Sequence, residues 1–429
     1  MLSKIKDIIT RQILNSRGVP TIETDILLES GAFGRAAYPS RKFLGGNEYL
    51  EIQDNNLNIF SGKSVHSAIK NIEKKVKEII IGIDAMDQKL IDGKMTSIHE
   101  IDKKKLGINT ILPISLACAR AAASHKRKPL FKYLMESKKY IMPLPMIKMI
   151  SGKVENNNTD FEEIMIIPVK FDKFSDALRC GTEIFYCLEK IFKESNIKNI
   201  GESYSDGFIP AFNSNEQAIE LILKAIEKSG YKAGDEVFLS LNLGSPQFVN
   251  DDKKYFIKSE KNSYETKEFI KKIEEWVKKY PIISIEDALS PEDLEGWKLL
   301  TKKMGKKVQL VGNHVFDSSK KFIEGIKSNI ANSAIINLNN IGTLSKTFEM
   351  MTNAAESGYM CIISEGLGET EDPIISDIAV ASGTGQIKPG ILSGIERLSS
   401  YNQLLRIEEE LMNDAIYPGM KAFNFSGIN

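Results

Sequence analysis

Cysteine is scarce: Cys118, Cys180, Cys187 and Cys361 are the only four in 429 residues, and all stand in apolar contexts without a CxxC spacing. That leaves no framework for a disulfide-stapled domain or a zinc site, and buried thiols are the expected state. Net charge is lacking too, because 57 Lys+Arg offset 57 Asp+Glu. Without a field to hold a phosphate backbone or an anionic bilayer, general nucleic-acid binding and membrane-surface binding are excluded as functions. No stretch approaches the roughly 18 apolar residues of a membrane span. The opening MLSKIKDIITRQIL alternates like a strand and lacks the apolar block of a signal peptide, so a cytoplasmic location is expected. Histidine is as sparse as cysteine. Of His66, His99, His125 and His314, only His314 lies beside a predicted strand end, and alternation along a strand turns neighbours to opposite faces.

What remains is ordinary globular composition, 42% hydrophobic and 27% charged, in a chain long enough for two domains or a barrel with an appendage. Segments 5–14, 20–28 and 32–38 alternate or run apolar between the turn formers Ser16-Arg17-Gly18 and Glu29-Ser30-Gly31, which predicts a three-stranded meander. Helical spacing follows over 64–80, and 107–124 is a small-residue, Ala-rich helix suited to close packing. Pro143 and Pro145 punctuate the chain after a helical 129–137, placing a domain boundary near 140.

Beyond it, short apolar strands alternate with amphipathic helices. The predicted strands are 163–169, 236–242, 282–287, 308–313, 334–339, 359–364 and 378–384. Strand ends at Glu286, Asn313, Asn337 and Ser364 recur every 27, 24 and 27 residues, the rhythm of a (β/α) barrel. Chemistry on such barrels sits at the carboxyl ends of the strands. That directs attention to Glu163, Asn242, Glu286, Asn313, Asn337, Glu365 and Lys388.

Several runs resemble enolase (phosphopyruvate hydratase) of bacterial type: NSRGVPTIETDILLESGAFGRAAYPS near the start, SIED at 284–287 with Glu286, then GETEDPIISDIAV, GTGQIKPG with Lys388, and YNQLLRIEEEL. The resemblance covers nearly the whole chain. It implies an α/β protein with an enolase-like (β/α)8 barrel over 141–429 and an N-terminal α+β capping domain over 1–140. It also implies a homodimer, and the glycolytic dehydration of 2-phosphoglycerate to phosphoenolpyruvate with Mg²⁺. A lysine of the family removes the proton alpha to a carboxylate, and metal held by hard oxygen ligands neutralises the dianion that forms.

Position by position, the resemblance shows substitution. The three acidic metal positions read Asn242, Glu286 and Asn313, and the metal-binding hydroxyl of the mobile loop reads Phe43. Ligand charge falls from three negatives to one, so Mg²⁺ binding is expected to be weak or absent. The base position is Asn337, whose amide has no usable basicity. The family's partner acid maps onto Ser205, with Glu202 and Asp206 as stand-ins after a loop shift. The family's phosphate-binding histidine and arginine fall in Ser364-Glu365-Gly366-Leu367, where an acid and a glycine replace them, and Arg41 and Lys42 add new cations in the mobile loop. The histidine-bearing loop of the family aligns near 152–158, where there is none. Retained are Glu163, Glu286 and Lys388, and the expectation is an internal pair of Lys388 with Glu286 or Glu365, its ammonium filling space a metal would hold.

Three functions compete on this reading. One is a catalytically defective pseudoenolase acting by binding or assembly, as a homodimer or as a partner of an active enolase. The second is a low-activity enolase. The third is a different enzyme on the same barrel, using Glu163, Glu286, Glu365 and Lys388.

Overall fold

The computed structural model describes residues 2–40, 50–101, 106–152, 160–195, 197, 208, 212, 214–250, 252–366 and 368–425. The chain divides into two compact units. The first comprises 1–138 together with 336–353 and 365–382, and the second 139–335, 354–364 and 383–429.

In the first unit, β1 (Ile5–Leu14), β2 (Pro20–Leu28) and β3 (Phe33–Ala37) form an antiparallel sheet in the order β1-β2-β3. This is the meander the turn formers predict. The central strand β2 is buried along most of its length, and helix Ile108–His125 packs on β2 and β3. Small residues make that approach possible: a Cβ on Gly34 would come within 2.2 Å of Ala117 O and Ala121 N. Cross-strand charges order the outer face. Arg11 pairs with Glu23 and Asp25, and Arg35 Nε donates to Asp25 at 2.7 Å.

The second unit is a closed eight-stranded barrel. Its strands are β4 (Leu144–Ser151), β5 (Glu163–Pro168), β6 (Val237–Asn242), β7 (Ile282–Glu286), β8 (Gln309–Gly312), β9 (Ser333–Ile336), β10 (Met360–Ser364) and β11 (Gln386–Ile391). They follow one another around the wall in chain order. β5 runs antiparallel to both β4 and β6, whereas β6 to β8 and β10 to β4 pair in parallel wherever a register is recorded. Strands covered on both faces read as apolar runs, and EIMIIP of β5 is buried at every position. Two of the amphipathic helices start on side-chain caps: Ser214 Oγ accepts from Gln217 N, and Glu265 forms a capping box with Glu268.

Two expectations need correction. Residues 374–382, which cover most of the predicted strand 378–384, form a buried helix, and the last barrel strand is Gln386–Ile391. The predicted strand 334–339 stops at Ile336, where Asn337 begins a short helix. Cys118, Cys180 and Cys361 are buried, and all four cysteines are free. Among the described residues no helix is long and apolar enough to cross a membrane.

Candidate functional site

Barrel strands with period-two alternation send every second side chain inward, so a polar residue near a strand's end has only the polar ends of neighbouring strands to meet. The second unit uses this to gather Lys148 (β4), Glu163 (β5), Asn242 (β6), Glu286 (β7), Asn313 (after β8) and Lys388 (β11). The register pairs Glu163 with Asn242 and Asn242 with Glu286. Glu286 is 1% exposed, Lys148 and Lys388 are each 7% exposed and Glu163 is 9% exposed.

Burial this deep requires every charge to be answered, and the contacts answer them. Lys148 Nζ lies 2.6 Å from Glu163 Oε1. Lys388 Nζ bridges the two carboxylates, 2.6 Å from Glu163 Oε2 and 2.7 Å from Glu286 Oε2. Asn242 Nδ2 donates to Glu163 Oε2 at 3.2 Å, and Asn313 Nδ2 donates to Glu286 Oε1 at 3.0 Å. Each carboxylate oxygen therefore faces at least one N–H donor. Two ammoniums face two carboxylates, so the cluster carries no surplus negative charge whether Glu286 is ionised or protonated.

The electrostatics follow from the same contacts. Burial alone would raise the Glu163 carboxyl, but Lys148 and Lys388 outweigh it and hold the group well below the ordinary range. Burial would lower Lys388, yet Glu163 and Glu286 beside it raise it well above an ordinary lysine, so it stays an ammonium at neutral pH. Glu286 goes the other way: burial and the charges of Asp287 and Glu163 push it up to about 7 against the pull of Lys388. His314 joins a separate pair. Its Nδ1 hydrogen-bonds Asp287 Oδ2, which raises the imidazole, and Asn313 N donates to Asp287 Oδ1 at 2.9 Å.

Asn337, Glu365 and Gly366 pack with the first unit. Asn337 is occupied as a helix cap: its Oδ1 accepts from Asn339 N at 3.0 Å, and its Nδ2 donates to Glu365 O at 2.9 Å. Gly366 N donates to Glu369 Oε1, and a Cβ on Gly366 would come within 2.6 Å of Asn339 Nδ2. Asn339 in turn donates to Pro39 O at 2.7 Å. Ser364 closes β10 in the second unit, in register with Lys388 and buried. Lys388 pairs with Glu286, one of the two partners expected for it, and with Glu163 as well. Phe43, Ser205 and Leu367 lie outside the described residues, as do Arg41, Lys42, Glu202, Asp206 and most of 152–158.

Lys148 went unread in the sequence. Its signal was a lone lysine inside the apolar run LPMIKMIS, which on a barrel wall demands a buried counter-charge. Lys148→Met is expected to cost about 2–3 kcal/mol, less than a fully orphaned buried charge because Glu163 keeps Lys388 and Asn242. Urea denaturation measures it, and stability within about 0.5 kcal/mol of the parent, ordinary for a surface change, would refute the pairing.

A closed eight-stranded barrel with acidic, amide and lysine side chains at its strand ends, in one chain with an α+β unit, defines a barrel protein of enolase type. Comparison with protein families agrees: residues 5–134 match the enolase N-terminal domain and residues 139–426 the enolase C-terminal TIM barrel domain. The chain belongs to the enolase family.

Proposed function

We propose that this enolase-family protein has lost Mg²⁺-dependent dehydration of 2-phosphoglycerate and acts by binding or assembly, as a homodimer or as the partner of an active enolase. One observation carries the reading. All the carboxylate oxygens of Glu163 and Glu286 are engaged by Lys148, Lys388, Asn242 and Asn313.

Magnesium demands near-ideal octahedral oxygen ligation and loses water reluctantly, so it needs free anionic oxygens. The residues present do not fit it. An ion would have to evict a buried ammonium from Glu286, and the two neutral amides offset little of that loss. Asn242 Oδ1 is itself engaged, accepting from Gly244 N at 3.1 Å. The same pairing argues against Lys388 or Glu163 as the base of a different enzyme, since Lys388 is held as an ammonium and Glu163 well below the ordinary carboxyl range.

Isothermal calorimetry and thermal melting in millimolar Mg²⁺ test this. The expected result is no binding heat and no rise in Tm. A rise of several degrees that Glu286→Gln abolishes would establish a working cage and overturn the proposal.

A further inference from the structure

Below the charged cluster, the barrel interior holds a second polar row. Ser240 (β6), Ser284 (β7) and Gln309 (β8) are fully buried. Among the described residues neither serine Oγ, nor Oε1 or Nε2 of Gln309, has a hydrogen-bond partner. The register aligns them, for Ser284 is the Cα partner of both Ser240 and Gln309. Ser240 and Ser284 each precede a cluster member, Asn242 and Glu286, by two positions, so they share its inward face. Gln309 likewise precedes Val311, a member of the interior apolar cluster.

That surrounding is the decisive fact. Leu144, Met146, Met165, Ile167, Val311 and Ile362 pack in the interior and offer no polar partner. Buried hydroxyls and amides left unpaired lose their hydration with nothing returned, and native proteins avoid this almost without exception. Neighbouring strands hold the three side chains close, yet none bonds directly to another, a spacing that suits a bridging molecule.

We propose that Ser240, Ser284 and Gln309 form an internal hydration site that holds one or two ordered waters across β6, β7 and β8. Water suits the donor set because the row needs both roles. Gln309 Nε2 and a hydroxyl can donate to it, while Gln309 Oε1 and the other hydroxyl accept from it. A cation does not suit it. Two of the four orphaned groups carry hydroxyl protons, a third is an N–H donor, none is anionic, and the neighbouring layer carries the ammoniums of Lys148 and Lys388. The bridging water would tie together the three strands whose ends present Asn242, Glu286 and Asn313, fixing the spacing of the amide–carboxylate frame.

Crystallography of the full chain at a resolution that orders waters, with one crystal soaked in rubidium chloride, tests this directly. Expected are density within hydrogen-bond distance of Ser284 Oγ and Gln309, no anomalous rubidium peak there, and loss of that density in a Gln309→Leu crystal. An anomalous peak would make the site a monovalent cation site and overturn the proposal. So would direct bonds among the three side chains with no density between them. Should Gln309→Leu fail to fold, the unsoaked and soaked parent crystals decide the matter alone.

Discussion

Purified protein given 2-phosphoglycerate and Mg²⁺ is expected to produce no phosphoenolpyruvate detectable by absorbance, beside an active enolase as control. The chemistry requires a base for the alpha proton and a metal for the dianion. On the proposed reading the base position falls to Asn337, an amide without usable basicity whose side chain caps a short helix. Loss of general-base catalysis alone is worth roughly 10²–10⁴ in rate. Lys388 does not take over, since it is held as an ammonium by Glu163 and Glu286. Loss of metal stabilisation adds several kcal/mol, about a further 10²–10³ at 1.36 kcal/mol per decade. On that reading the combined deficit is at least about 10⁴, even before the phosphate contacts that the resemblance assigns to the positions of Glu365 and Gly366 are considered. Turnover within a factor of about ten of the control would leave no room for such losses and would make the protein a functional enolase.

The residues that decide this were readable to different depths. Positions in long family-like runs could be placed from sequence, and Glu163, Asn242, Glu286, Asn313 and Lys388 do converge in one cluster. Lys148 was missed because Pro143 and Pro145 suggest a break, whereas β4 begins at Leu144 and accommodates Pro145. Helix Ile374–Ser382 was misread because a short apolar run buried all round has no periodic face, which leaves length and context to separate helix from strand. Its true successor β11 was hidden by Lys388, Pro389 and Gly390, residues that spell a turn unless their burial is known. None of the three concerns propensity. Each arises because tertiary burial, invisible locally, decides what a lysine or an apolar run is for.

Because Lys148 is the unexpected member, it changes how the site could be restored. On the proposed reading Asn242→Asp and Asn313→Asp return acidic ligands, but each also removes an amide N–H that now supports a carboxylate at 3.2 or 3.0 Å. With Lys148 in place, four carboxylates face two ammoniums, a surplus of about two negative charges, and both ammoniums still hold the Glu163 and Glu286 oxygens that a metal would need. The double variant is therefore expected to bind Mg²⁺ poorly. Adding Lys148→Met leaves four carboxylates against the single ammonium of Lys388, a surplus of about three negative charges in a buried layer. Without metal this triple variant is expected to lose on the order of 5 kcal/mol, from the broken pairs and the repulsion together. Mg²⁺ at about 100 times its dissociation constant should return roughly 2.7 kcal/mol, visible as a concentration-dependent rise in Tm that the parent lacks. Dehydration should still be undetectable, because Asn337 remains an amide and catalytic groups that act as a unit contribute little singly. Two outcomes would refute the account of the mouth as a self-neutralised metal site. One is Mg²⁺ stabilisation of the double variant equal to that of the triple, which would show that Lys148 guards nothing. The other is a triple variant that folds as stably as the parent without metal, which would show that the cluster's charges are not coupled at all.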